Sequence, residues 1–349
     1  MPLDPDRPPR YRTGDDELDA TIARLVTASK VAPDEDLVFE MVTSALRMGR
    51  EAADRGELKL VSAVLKELRY SFHVFEPYAH RRKLSMFGSA RIRSGTPEYD
   101  DARDLGRMMA ERDWMVITGA GPGIMAAGIE GAGAENSFGV NILLPFEASA
   151  SEFIAGDPKL INFKYFFTRK LMFLKESHAF ALLPGGFGTM DEAFELLTLM
   201  QTGRSPIVPV VLLDPPGSTY WETFRDFVRR ELVDRSLVAA SDLDLFLITE
   251  NLDDAVDEVT GFYRNYHSAR SVGRRLVLRM HEEPDDALVE RLEDEFADIV
   301  ESGPIERIDA TPSEVEDDDV VDLHRLAFRF DRRSYSRLRH LIDVLNGRR

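Results

Sequence analysis

The chain contains no cysteine, and its apolar residues nowhere run unbroken far enough to span a membrane as a helix. Without cysteine the protein can form no disulfide, no thiolate metal site and no cysteine nucleophile. The first ten residues are polar and rich in proline, unlike the apolar core of a secretory signal. These absences predict a cytoplasmic protein with no membrane partner.

Basic residues are also scarce, with 44 Lys and Arg against 62 Asp and Glu and a net charge of −18. The sequence has no broad basic face, so we expect no nucleic-acid partner. The seven histidines show none of the spacings typical of metal ligands, and we expect neither a metal nor a cofactor. A small anion can still bind, because local N–H groups and arginines set the field inside a pocket.

The hydrophobic period changes twice along the chain, which predicts three domains. Residues 1–82 follow helical spacing and predict an N-terminal helical lobe. Residues 83–267 alternate strands with helices, which is typical of a doubly wound, Rossmann-like parallel sheet and an α/β fold. Within this region we expect residues 163–167 to be extended and a helix to begin at Thr168. Residues 268–349 follow the order βαββα and predict a small ferredoxin-like α/β module.

A glycine-rich motif, Leu183–Glu192, joins an apolar strand to an amphipathic helix. Its glycines carry no Cβ that would keep an anion away from backbone N–H groups, and the helix start adds a favourable field. Glu192 is expected in the first turn of the helix. The same residues also fit a capping box, in which the side chains of Thr189 and Glu192 satisfy N–H groups at the helix start. On these residues alone both interpretations are open.

Two more glycine-bearing turns, Gly88–Arg91 and Thr118–Gly123, follow predicted strands. Ligands of doubly wound sheets bind beyond the carboxyl ends of the strands, so we expect the three turns to meet at one edge. The second turn has the wrong spacing for a dinucleotide fingerprint, and no glycine loop is followed by a phosphate-binding lysine. A mononucleotide fits better, with its phosphate on Gly185–Thr189 and its base near Gly119–Gly123.

Arg169 and Lys170 precede the central strand and would bring positive charge beside this site, although a plain helix-surface pair is the alternative. A carboxylate beside a bound phosphoribosyl group favours cleavage of an N-glycosidic bond, whose transition state resembles an oxocarbenium ion. Glu192 is the candidate that stabilises this state and orients water. Arg169 would stabilise or protonate the departing base, or orient Glu192. His178, at the start of the central strand, is expected to be structural.

The segment Pro184–Glu192 resembles the PGGxGTxxE signature of the LOG (Lonely Guy) phosphoribohydrolases. Phe166–Lys170 is similar to the Arg-Lys pair upstream of that signature, and Glu195–Gln201 to the helix that follows it. The resemblance covers about residues 83–267. It implies hydrolysis of a nucleoside 5′-monophosphate, AMP-like or a cytokinin riboside monophosphate, to free base and ribose 5-phosphate. It also implies a homo-oligomer, a dimer or larger.

By this resemblance the catalytic pair falls on Arg169 and Glu192. The substrate and phosphate contacts fall on three sets of residues: the signature loop with Gly185, Gly186, Gly188 and Thr189; the other two turns with Gly88, Ser89, Thr118 and Gly119; and Lys170 and Thr198 on the helices. Members of this family often carry the label lysine decarboxylase, but no lysine here is placed to form a pyridoxal phosphate Schiff base.

The sequence departs from the family at Ala120, which stands in the usual TGGG turn and is expected to place a methyl group near the ligand. The loop 145–157 also differs from short members, leaving Glu147 and Glu152 as weak candidates for ribose or base contact. Two alternatives share the phosphate loop: a module that binds a nucleotide or a molybdenum cofactor without cleaving it, and a transferase in which a second substrate replaces water.

The C-terminal region adds two open questions. The acidic run Glu314–Asp319 is expected to be a solvated turn, with a metal site as the alternative. The ferredoxin-like module is expected to cap the protein or join subunits, with sensing of a small effector as the alternative.

Overall fold

The computed structural model describes residues 9–31, 33–51, 53–143 and 151–348. The chain divides into two compact units, Met1–Arg69 and Tyr70–Arg349. The first unit contains α1 (Asp16–Ala28), α2 (Glu35–Arg50) and most of α3 (Arg55–Phe75). Its small core is built by Ile22 and Val26 of α1 and Phe39 of α2. The domain limits expected from the sequence stay a prediction.

The second unit is organised by a seven-stranded parallel sheet in the order β4-β3-β2-β1-β5-β6-β7. The strands are β1 (Lys83–Phe87), β2 (Met115–Thr118), β3 (Ser137–Ile142), β4 (Leu160–Phe163), β5 (Ala179–Leu182), β6 (Val210–Leu213) and β7 (Leu247–Thr249). The chain runs outward from β1 in one direction and returns to the other side at β5. This confirms the doubly wound α/β fold predicted from the alternation of apolar strands and helices.

The sheet is covered by six helices: α4 (Pro97–Ala110), α5 (Ile124–Ala132), α6 (Phe166–Glu176), α7 (Phe187–Gln201), α8 (Tyr220–Phe227) and α9 (Leu252–Gly261). Apolar residues of α4, α5 and α9 form one core with alternate residues of the central strands, such as Leu84 and Met86. On the other face Phe87 packs against Phe173 of α6. Because helices cover both faces of the sheet, the central strands are nearly continuous apolar runs in the sequence.

One predicted boundary in this region is wrong. Residues 163–167 are not extended throughout, because β4 ends at Phe163 and α6 already begins at Phe166. The bulky residues Phe166 and Phe167 suggested a buried strand, but both lie about half exposed in the first helical turn. Arg169 and Lys170 therefore lie on a helix, as expected, but as its fourth and fifth residues rather than its second and third.

The C-terminal part is a four-stranded antiparallel sheet in the order β10-β11-β9-β8. Its elements are β8 (Tyr266–Val272), β9 (Arg275–Met280), α10 (Asp286–Glu295), β10 (Val300–Arg307), α11 (Pro312–Glu316), β11 (His324–Phe330) and α12 (Tyr335–Leu345). From β9 onward the elements follow the predicted ferredoxin-like order, apart from the short α11. Strand β8 was not predicted from the sequence.

The acidic run Glu314–Asp319 is only in part the solvated turn that we expected, because residues 315–318 are exposed but Glu314 is buried. Glu314 is fully buried and lies 2.8 Å from a guanidinium nitrogen of Arg279 and 3.3 Å from one of Arg325. Asp319 pairs with Arg279 at 2.6 Å. Arginines of β9 and β11 therefore pair with the two ends of the run from within the module. Among the described residues no His, Asp and Glu group is arranged to hold a metal ion, and no helix is long and apolar enough to cross a membrane.

Candidate active site

The three glycine-bearing turns meet where the strand order reverses, next to β1. Gly88 follows β1, Gly119 follows β2 and Gly185 follows β5. The N–H of Ser89 donates to the carbonyl of Pro184 at 3.1 Å and ties the first turn to the third. Crevices at such a reversal are the usual ligand sites of open α/β sheets. The expected meeting of the turns is therefore observed.

The start of α7 leaves backbone N–H groups open rather than capped. Its N-cap residue is Gly186, and no side chain bonds to the cap. The N–H groups of Phe187, Gly188 and Thr189 lie in the first turn, where a helix supplies no backbone acceptor. A Cβ placed at Gly186 or Gly188 would have no atom of the described chain within 4 Å. The capping box between Thr189 and Glu192 is not formed, and the helix start is open to an anion.

The helix begins earlier than expected, which moves Glu192 out of the first turn. Glu192 is the sixth residue of α7, counting from Phe187. At 1.5 Å per residue the backbone of Glu192 stands about 5–8 Å along the helix axis from the open N–H groups of residues 187–189. An anion at the helix start and the carboxylate of Glu192 are thus separated by about one small ring.

Two contacts hold the loop in this shape. The hydroxyl of Thr189, a buried residue, fills the space that a Cβ at Gly185 would need. The hydroxyl of Tyr220 on α8 donates to the carbonyl oxygen of Gly185 at 2.7 Å. Since this carbonyl is fixed, the plane of the next peptide and the direction of the Gly186 N–H are fixed as well. Tyr220 carries no signal in the sequence, because it lies 35 residues further along the chain.

Lys170 lies against three carboxylates of α7. Its Nζ is 2.8 Å from Asp191, 3.5 Å from Glu192 and 2.5 Å from Glu195. Burial alone would lower the pKa of Lys170, but hydrogen bonds to Asp191 and Glu195 and the charge of Glu192 raise it. The lysine therefore stays charged and fixes α7 against α6. The spacing 191, 192 and 195 places these acids on one helix face, a signal that the sequence contained.

Glu192 is the most buried of the three acids, with 13% of its side chain exposed against 63% for Asp191. Burial raises the pKa of Glu192 above its ordinary value, and the positive charges of Lys170 and Arg169 only partly offset this. A partly buried carboxyl with a raised pKa, beside two cations, is typical of a group that exchanges protons during catalysis.

Arg169 lies across the second turn. Its Nε donates to the carbonyl oxygen of Val140 in β3 at 2.8 Å, and its guanidinium stands 5.3 Å from the ring centre of Phe173. A Cβ at Gly119 would occupy the place of its Nη2. Glycine is thus required at 119 because the guanidinium approaches the backbone. The structure brings Arg169, Lys170 and Glu192 together, as predicted. More than 20 residues of the chain separate the two cations from the glutamate.

The remaining predicted residues fall into two groups. Near the turns, a Cβ at Gly88 would lie 2.7 Å from Ile124, and the hydroxyl of Thr118 accepts the N–H of Ala120 at 3.1 Å. Thr198 lies on the exposed surface of α7, where its hydroxyl donates to its own helix at Phe194. Glu152 is exposed, and Glu147 lies outside the described residues.

Ala120 does not place its methyl group at an open ligand site. The residue is fully buried and packs with Ile129 and Ile154 in a small apolar cluster. Its φ of 56° lies in the left-handed region, which costs a residue with a Cβ about 1–2 kcal/mol. The apolar contacts of the methyl group offset part of this cost, which explains why alanine can replace glycine here.

His178 is structural, as expected. Its Nδ1 accepts the backbone N–H of Lys83 at 3.2 Å, and its carbonyl accepts the hydroxyl of Tyr263 at 2.7 Å. Burial, with the charges of Arg82 and Lys83, lowers the pKa of His178 to about 3. The imidazole is therefore neutral and joins strands rather than moving protons.

Residues 123–259 match a family described as "Possible lysine decarboxylase". The chain is similar to a probable cytokinin riboside 5′-monophosphate phosphoribohydrolase of Oryza sativa subsp. japonica, with 27% identity over 51% of this chain and 76% of the relative. It is also 29% identical to a cytokinin riboside 5′-monophosphate phosphoribohydrolase of Mycobacterium marinum, over 44% of this chain and 80% of the relative.

A third relative is the pyrimidine/purine nucleotide 5′-monophosphate nucleosidase of Escherichia coli strain K12, with 25% identity over 60% of this chain. The match spans about half of that protein, 48% of its length. Among solved structures, the molybdenum cofactor binding protein of Rippkaea orientalis matches 51% of this chain and 94% of its own, with a TM-score of 0.36 and 17% identity. A similarity with this TM-score and identity does not indicate a shared function.

Proposed function

Because residues 123–259 match the family described as "Possible lysine decarboxylase", and similar proteins are named phosphoribohydrolases and a nucleotide nucleosidase, we propose that this chain hydrolyses nucleoside 5′-monophosphates. The products are a free base and ribose 5-phosphate. The observation that carries the proposal is the placement of a partly buried, cation-flanked Glu192 about 5–8 Å along α7 from an open, glycine-lined helix start.

The 5′-phosphate binds at the start of α7. The N–H groups of Phe187, Gly188 and Thr189 and the positive helix end attract the phosphate dianion. Glycine at 186 and 188 lets its oxygens approach the backbone. The ribose then extends along the helix toward Glu192, and the base toward the turns that follow β1 and β2.

In the reaction the bond between C1′ and the base nitrogen breaks, and its electron pair leaves with the base, which takes up a proton. The carboxylate of Glu192 stabilises the positive charge that develops on the ribose and accepts a proton from the attacking water. The water oxygen bonds to C1′. Arg169 faces the same space and stabilises the departing base, while Lys170 holds Glu192 in place through α7.

The experiment that tests this function is incubation of the purified full chain with AMP, GMP, CMP, UMP and isopentenyladenosine monophosphate, with free bases separated by chromatography. In Glu192→Gln we expect base release to fall by about 10²-fold or more. Asp191→Asn is the matched control, since it removes a neighbouring, more exposed carboxylate of the same Lys170 cluster; its release should fall less than about tenfold.

The raised pKa of Glu192 supplies a second readout. Its surroundings disfavour the charged form, so the ionised carboxylate lowers stability at pH values above its pKa. Glu192→Gln is therefore expected to unfold at the same temperature as the parent chain at neutral pH, or a higher one. Tight nucleotide binding without base release from any substrate would favour the non-catalytic binding module instead.

We also propose that the protein acts as a cytoplasmic homo-oligomer. Phe166, Phe167 and Leu171 on α6 are each about half exposed and flank Arg169 and Lys170. An apolar surface of this kind beside a site is typical of subunit contacts. Light scattering should give a mass of at least two chains, and a monomer at micromolar concentration would contradict the proposal.

A further inference from the structure

A second cleft lies at the other end of α7, within the second compact unit. It has a volume of about 570 Å³ and is bounded by the segment 203–207, which follows α7, the β8–β9 hairpin and the start of α12. It is distinct from the candidate active site, since α7 has 15 residues and therefore separates the two by about 20 Å.

The cleft is basic in a strongly acidic protein. Arg204, Arg274 and Arg332 line it, and none of the described residues that line it is Asp or Glu. Arg204 forms no ion pair within the described ranges. The guanidinium of Arg274 makes a long ion pair with the carboxylate of Glu301, at 3.8 Å. Three guanidinium groups gathered without lining carboxylates, in a chain of net charge −18, create a local field that favours an anion.

Arg332 is held in an unusual conformation at the edge of this cleft. Its φ of 59° lies in the left-handed region, at a cost of about 1–2 kcal/mol for a residue with a Cβ. Its Nη2 donates to the carbonyl oxygen of Gly273 in the β8–β9 hairpin at 3.0 Å. The side chain is thus tied to the hairpin, and its charge is fixed beside the opening.

The opposite wall is apolar and partly aromatic. Ile207, Phe330 and Leu338 are buried and line the cleft together with Tyr335. The ring of Tyr335 occupies the place of a Cβ at Gly203, so α12 packs directly on the loop that follows α7. The cleft has guanidinium groups on one side and an apolar, aromatic wall on the other. It is therefore complementary to a ligand with an anionic part and an apolar ring.

We propose that this cleft binds a phosphorylated ring compound of the nucleotide class. The phosphates lie against Arg204, Arg274 and Arg332, which can donate in bidentate fashion. The ring lies against the wall formed by Phe330 and Tyr335. Such a ligand would bridge the C-terminal module and the loop that ends α7.

The test uses hydrogen–deuterium exchange of the full chain with ADP as the probe. ADP should slow exchange in segments 203–207 and 271–276, and this protection can be read separately from any protection at the phosphate loop, 185–189. Arg204→Gln should raise the ADP concentration for half-maximal protection of the two cleft segments by about tenfold, as expected for the loss of one charge-assisted contact.

Arg333→Gln is the matched control, because this exposed arginine is next to Arg332 but does not line the cleft. It should leave the half-maximal concentration within about twofold of the parent value. Within the described ranges the side chain of Arg204 forms no hydrogen bond or ion pair, so its variant is expected to fold. The absence of protection at both cleft segments, or an equal effect of Arg204→Gln and Arg333→Gln, would overturn the proposal.

Discussion

Glu314 offers a sharp quantitative test of the forces in the C-terminal module. Its Oε1 accepts the Nε–H of Arg279 at 2.8 Å, and its Oε2 accepts the N–H and the hydroxyl of Thr311 at 2.9 and 2.7 Å. Arg325 approaches both carboxylate oxygens at 3.3 Å. The substitution Glu314→Gln removes the charge but keeps the shape, and it leaves two buried arginines with less compensation.

The magnitude follows from the pKa. Burial by itself would raise the pKa of Glu314, but the hydrogen bonds of Thr311 and the charges of Arg279 and Arg325 lower it to about 2 from 4.5. A depression of this size corresponds to about 3 kcal/mol of folding free energy at neutral pH. Breaking one partner of a buried ion pair costs about 3–5 kcal/mol in general, which is the same range.

The dependence on pH has a definite sign. Because the folded pKa lies below the unfolded one, the stabilisation is complete above about pH 4.5 and is lost as the pH falls through about 2. Urea unfolding of the parent chain and Glu314→Gln should therefore differ by about 3 kcal/mol at pH 7, and by less than half of that at about pH 3.

The matched control for this prediction is Glu316→Gln, since Glu316 is exposed on the same short helix. It should change the free energy of unfolding by less than about 0.5 kcal/mol. A Glu314→Gln variant as stable as the parent at pH 7 would refute the reasoning. A difference that stays constant between pH 7 and pH 3 would show that packing rather than charge is responsible.

Two further predictions concern the candidate active site. Tyr220→Phe removes the hydrogen bond to Gly185, worth about 1 kcal/mol; we expect KM for AMP to rise about fivefold with kcat little changed, and a fall in kcat alone would contradict a role in holding the phosphate loop. Gly119→Ala places a methyl group where the guanidinium of Arg169 lies; kcat/KM should fall about 10²-fold while circular dichroism stays unchanged, and full activity would show that Arg169 does not act from this position.

The doubly wound fold could be predicted because its signals are local. The strands of the parallel sheet are short apolar runs, and the turns that follow β1 and β5 carry glycine at positions 88 and 185, where a Cβ would clash with Ile124 and Thr189. Errors arose where apolar character was ambiguous. Phe166 and Phe167 read as a buried strand, although in the structure they begin α6 and remain half exposed.

The sequence by itself determined which residue types meet at the edge of the sheet: open N–H groups, a carboxylate and two cations. The alternation of strands and helices, the helix faces and the turn glycines are properties of short segments, so they can be predicted from the sequence. Only the tertiary structure decided that Lys170 contacts three acids of α7, that Tyr220 fixes Gly185, and that Glu314 is buried against Arg279 and Arg325. These contacts join segments far apart in the chain, and no local pattern encodes the distance between them.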